Sequence, residues 1–136
     1  MRIIAAIGAI LACKVALAGG FSGLQHSYYR DGRRFDFALT CEQVRATARW
    51  TTEEPSPALS PRDARNLAEA EVARLFPLEP WRLSSIALNP VCADDYWYYA
   101  VAFSHAAAGF SVGEQLTIPV LMDGTTAPPA ISPWPR

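Results

Sequence analysis

Tyr96-Trp97-Tyr98-Tyr99-Ala100-Val101-Ala102-Phe103-Ser104 is the stretch on which the fold turns. Trp97, Tyr99, Val101 and Phe103 alternate with Tyr96, Tyr98, Ala100 and Ala102. That period of two sends successive side chains to opposite faces of a strand. The first set is the more apolar and is expected to face a helix. A strand over residues 81–88, ended by Asn89-Pro90, should precede it, and one over 114–122, closed by Asp123-Gly124, should follow. Pro119 cannot donate a ladder hydrogen bond, which assigns the last strand to a sheet edge. Upstream, Ser60-Pro61-Arg62-Asp63 carries a Ser N-cap, a Pro at the first helical position and an acid in the first turn. The helix it opens should run to about Phe76, with Ala64, Leu67, Ala68, Val72, Leu75 and Phe76 on one face. A long helix followed by three consecutive strands predicts an α+β fold, the helix packed on a three-stranded antiparallel β-meander.

Further out, Asp31-Gly32 separates two runs of strand character, 24–30 and 33–39. Asp-Gly suits a two-residue type I′ turn, because both positions need positive φ. Pairing across it sets Tyr28 opposite Phe35, His26 opposite Phe37 and Leu24 opposite Leu39, but also Arg30 opposite Arg33. Like charges facing one another are unfavourable. Thr40-Cys41-Glu42-Gln43 fits a capping box and should open a short helix reaching about Trp50, with Cys41, Val44 and Ala48 on one face. Residues 51–59 carry Pro55 and Pro57 and read as a linker within the domain. Pro128, Pro129, Pro133 and Pro135 make residues 128–136 an extended tail. The domain proper is then 19–127, a hairpin and a short helix preceding the helix-on-meander unit.

Over residues 60–128 the chain resembles the PepSY-type module, a small exported α+β unit. The likeness lies in Ala64 and Ala68 with Leu67, in Tyr98-Tyr99-Ala100-Val101-Ala102-Phe103, and in Val120-Leu121-Met122-Asp123-Gly124. A cystatin-like arrangement of helix and sheet is a neighbouring resemblance. Either implies protein binding or inhibition, and a shared fold does not fix function.

Met1-Arg2 followed by an apolar run, then Ala16-Leu17-Ala18 ahead of Gly19-Gly20, has the order of a secretory signal peptide over residues 1–18. Two other readings use the same residues. One is an uncleaved N-terminal anchor. The other is a lipoprotein attached through Cys13, since Ile10-Leu11-Ala12-Cys13 loosely resembles a lipobox. The expected location is periplasmic or extracellular, with no stable membrane span after processing. Cleavage at Ala18 leaves ten arginines against thirteen acids, a net charge of −3 with neutral histidines. That balance argues against a nucleic-acid partner. It also leaves two cysteines, Cys41 and Cys92. An even pair in an exported chain is most simply a disulfide, and two buried free thiols are the alternative.

Chemistry is sparse. His26 and His105 are far apart, and no His-Glu-x-x-His, paired Cys-x-x-Cys or Gly-rich phosphate loop is present, so neither a metal site nor a cofactor is expected. Ser60, Ser84, Ser85 and Ser104 lack the flanking glycines of a nucleophile elbow. Asp94-Asp95 reads as a turn, and Arg30, Arg33 and Arg34 as a solvated hairpin tip that could hold a carboxylate or phosphate. Glu71 falls between Leu67 and Leu75 on the helical wheel, inside the apolar arc, so it is a candidate buried acid unless an arginine pairs with it. The function expected is a non-catalytic binding or accessory module of the bacterial envelope, its partner another envelope protein or peptide. Tyr96 and Tyr98 are the candidate binding residues, unless the N-terminal hairpin or first helix folds over them. The alternative is a small secreted hydrolase using Glu71 or His105.

Overall fold

A computed structural model describes residues 22–105 and 115–135. The expected signal peptide lies outside the described residues. With 45% strand against 19% helix, the protein is mostly β. It has two three-stranded antiparallel sheets and one long helix, which corrects the expected α+β fold of a helix packed on a three-stranded antiparallel meander. The elements run β1 (Gly23–Arg30), β2 (Arg33–Thr40), α1 (Cys41–Arg45), α2 (Pro61–Leu75), β3 (Trp81–Val91), β4 (Ala93–His105), β5 (Gln115–Leu121) and β6 (Ala130–Pro133). One sheet has the order β1-β2-β6, the other β3-β4-β5.

The physical reason for the correction is that the hairpin is not an appendage. Asp31 (φ 50°) and Gly32 (φ 70°) make the left-handed turn that their sequence demands. The resulting register pairs Tyr28 with Phe35, His26 with Phe37 and Leu24 with Leu39. Tyr28, Phe35 and Phe37 then enter the same core as Tyr99, Val101 and Phe103 of β4 and Leu116, Ile118 and Val120 of β5. The second finding that overturns the simple meander is β6. Part of the expected tail is a strand, antiparallel to β2, and it turns the hairpin into a sheet.

Helix α2 covers this shared core. Ser60 Oγ accepts from the Asp63 N–H at 3.1 Å, and Ala64, Ala68 and Val72 are buried. Small residues there let the helix sit close to β4 and β5. Leu67, expected on the same face, lies at its rim and is 37% exposed. Helix α1 is shorter than expected. Its capping box forms as read, but Thr47 donates both its backbone N–H (3.0 Å) and its hydroxyl (2.6 Å) to the Val44 carbonyl. The Trp50 N–H then donates to the Asp95 carbonyl at 2.9 Å, drawing the chain towards β4.

Strands β3 and β4 both run longer than expected. β3 continues through Asn89-Pro90 because it is an edge strand, where a missing N–H is tolerated, and the register shifts there as a bulge. β5 is the opposite edge and accommodates Pro119, as its sequence required. Cys92, at φ 66°, joins β3 to β4 and is bonded to Cys41, with Cα atoms 5.6 Å apart. With a sequence separation of 51 residues, the closed loop contributes about 4 kcal/mol of stability in the chain-entropy account.

The outer face of β4 is covered too. Tyr98 and Ala100 form a second, smaller core with Leu24, Leu39, Val44, Leu121 and Ala127. Tyr96, Val91 and Cys92 pack against its margin. Tyr98→Ala should therefore cost about 3 kcal/mol, the range of large-to-small core changes, and Tyr96→Ala clearly less. Urea unfolding at unchanged slope measures both. Near-native stability of Tyr98→Ala would contradict this second core.

Candidate functional site

The residues singled out in the sequence are scattered, and most have structural partners. Tyr98 is 8% exposed, and its hydroxyl lies 3.2 Å from His26 Nε2 in a hydrogen bond whose direction follows the imidazole tautomer. Tyr96 is half-buried beneath Arg49, whose guanidinium stands 5.5 Å from the ring centroid. The pair thus does not form an open aromatic face. Asp95 accepts from Arg49 at 2.8 Å, which accounts for one acid of the Asp94-Asp95 turn. Ser60 caps α2, and the hydroxyls of Ser84 and Ser104 bond each other across β3 and β4. Glu71 is held by Arg74, Nη2 to Oε1 at 2.5 Å, with its side chain 11% exposed. Among the described residues, no group of three His, Cys, Asp or Glu side chains is placed to hold a metal ion, and no helix is long and apolar enough to cross a membrane.

His105 belongs to a different constellation. At the end of β4 its ring stands edge-on to Trp81, centroids 5.1 Å apart, and Nε2 lies 3.5 Å from Glu79. Glu79 sits in the short Pro77–Pro80 connection between α2 and β3 and also accepts from Arg30 of the hairpin. That bond holds the Arg30 guanidinium above its ordinary pKa. It also resolves the clash read in the sequence: Arg30 faces Arg33, but Glu79 and Asp31 neutralise it. Arg34 is taken by Asp36, Nε to Oδ1 at 2.7 Å. Ser27, donating at 2.6 Å, together with Arg34 holds that carboxyl below the usual range. Arg33 alone of the three makes no ion pair among the described residues.

Two adjoining clefts open at this end of the molecule, and both are walled by Phe76 and Glu79. The first, about 210 Å³, lies between the end of α2 and β3, against Trp81, Leu83 and Phe103. The second, about 330 Å³, lies between α2 and the hairpin tip, against Arg30, Arg33, Phe35 and Ile131. Their floor is aromatic: Phe76 packs on Tyr28, Phe35 and Trp81 at centroid distances of 5.5–6.0 Å. The indole N–H of Trp81 is buried with no hydrogen-bond partner among the described residues, as is that of Trp50. Sequence reasoning reached Arg30 and Arg33 but missed Glu79. The available signal was indirect: two facing arginines need a counter-charge, and Glu79 stands in a turn fixed by Pro77 and Pro80. Comparison with protein-family models, curated proteins and solved structures finds no match to this chain.

His26 lines neither cleft, but it supplies a pH test of its packing against Tyr98. Burial lowers its pKa below the ordinary 6.5, so the native imidazole resists the proton that the unfolded chain accepts. Its contribution is therefore complete above pH 6.5 and is lost as pH falls through the folded value. Between pH 7 and pH 5 the wild type should lose stability more steeply than His26→Gln, by at most about 1.4 kcal/mol per pH unit. Equal slopes in chemical denaturation would contradict a desolvated His26.

Proposed function

We propose that the protein is an exported, non-catalytic binding module of the envelope that captures a peptide segment of another protein at the paired clefts. The observation that carries this reading is their form: two small, adjoining, aromatic-floored hollows with one uncommitted guanidinium, Arg33, at the rim. Sites for small metabolites commonly occupy about 300–1,000 Å³ and enclose the ligand. One open hollow, about 210 Å³, falls below that range and the other, about 330 Å³, at its lower end, a size that suits one or two side chains of a peptide. Arg33 adds a donor fork for a carboxylate at the rim of the larger hollow. Export is supported by the signal-like N-terminus and by the Cys41–Cys92 bond, which persists in oxidising compartments. A relationship to PepSY-type or cystatin-like modules belongs to the same proposal and rests on the motifs of residues 60–128.

The test is a titration of the oxidised protein with N-acetyl-leucine and with its amide, followed by NMR. Both should shift the Trp81 indole and Phe76 resonances with millimolar affinity, which corresponds to about 4 kcal/mol. The carboxylate should bind more tightly, and Arg33→Gln should erase that difference. Absence of any shift at Trp81 and Phe76 at millimolar ligand would overturn the cleft as a binding site.

A further inference from the structure

β6 is an unusual strand. All four of its residues are exposed, so it buries no side chain in either core. It is nevertheless placed in a definite register, with Arg33, Arg34, Phe35 and Asp36 of β2 opposite Pro133, Ser132, Ile131 and Ala130. Three further contacts fix it. The Trp134 N–H donates to the Gly32 carbonyl at 2.8 Å. The Trp134 ring packs on Tyr29, centroids 4.8 Å apart. The Arg34 guanidinium stands 5.9 Å from the centroid of each of those rings. Ile131, opposite Phe35, forms part of the wall of the larger cleft.

These contacts have the form of peptide recognition by strand addition, in which main-chain hydrogen bonds give affinity and alternate side-chain seats give specificity. The β2 edge offers a backbone ladder, an aliphatic seat at Phe35, and an aromatic seat made by Tyr29 and Arg34. The segment filling them follows the buried Ala127 after only Pro128 and Pro129. A tethered segment is retained by effective concentration, of millimolar order for a short linker, rather than by intrinsic affinity. A free peptide displaces it once the peptide's concentration relative to its Kd exceeds the tail's effective concentration relative to the tail's own Kd.

We propose that the outer edge of β2 is a strand-accepting site for an extended segment of another polypeptide carrying an aliphatic residue, a spacer, proline and an aromatic residue. The chain's own Ile131-Ser132-Pro133-Trp134 is its resident, displaceable occupant. This deepens the binding reading above, since Ile131 already adjoins the larger cleft.

The experiment uses the full oxidised chain and a fluorescent synthetic peptide of residues 129–135. In one variant, Ile131→Gly with Trp134→Gly, the chain's own tail is released; both positions are exposed, so neither core is touched. The peptide should bind this variant at least tenfold more tightly than it binds wild type. Adding Tyr29→Ala, or replacing the peptide's tryptophan by alanine, should abolish binding. Equal binding to wild type and the released variant, indifference to either aromatic change, or no binding at all would each overturn the proposal. So would sedimentation showing wild type as a dimer joined by exchanged tails, because the site would then serve a second copy. N-acetyl-leucine binding is read at Phe76 and Trp81, so failure of the strand site leaves the cleft reading separately testable.

Discussion

From Tyr98 to Phe103, β4 has no exposed residue. A strand of an antiparallel sheet commonly keeps one face in water. Here both are covered, and the rest of the molecule is arranged to cover them. Tyr99, Val101 and Phe103 meet α2 and the hairpin, while Tyr98 and Ala100 meet β1, β2 and α1. The polar tips of Trp97 and Tyr99 are satisfied by the irregular chain between the helices. Trp97 Nε1 donates to the Trp50 carbonyl at 3.0 Å, and Tyr99 Oη to the Leu59 carbonyl at 2.7 Å. The Cys41–Cys92 bond pins α1 at the start of the same strand. One helix cannot enclose a two-faced strand, which is why the hairpin and α1 belong to the core.

This constraint also decides where function can reside. The aromatic side chains that look most suited to recognition are spent on folding. Among the described residues, two clefts open at the end where α2 stops, the hairpin turns and β3 begins. There Glu79 holds Arg30 and lies against His105, so three elements meet around one carboxylate. The clefts on either side of Phe76 result from that meeting, and the β2 edge with its resident strand lies beside them.

Much of the local structure was legible because local chemistry determines it. Asp31-Gly32 set the turn and with it the hairpin register, Thr40 and Ser60 set the helix starts, and Pro119 set an edge. The pairing of Cys41 with Cys92 followed from counting. What was not legible is non-local. Alternation in β4 shows that two faces differ, not that both are buried, and burial of Tyr98 depends on Leu24, Leu39 and Val44 arriving from elsewhere. The proline content of the tail predicts extension, but pairing with β2 depends on where Ala127 leaves the tail. Glu79 carries no motif, and its role appears only when Arg30 and His105 are brought to it.

Native-state hydrogen exchange on the oxidised protein tests the central claim most directly. If enclosure of β4 on both faces holds the structure together, the amides of residues 98–103 should exchange only through global unfolding, at the free energy given by chemical denaturation. The amides of β6 should open at far lower cost. Exchange of residues 98–103 through a local opening well below the global stability would contradict the account.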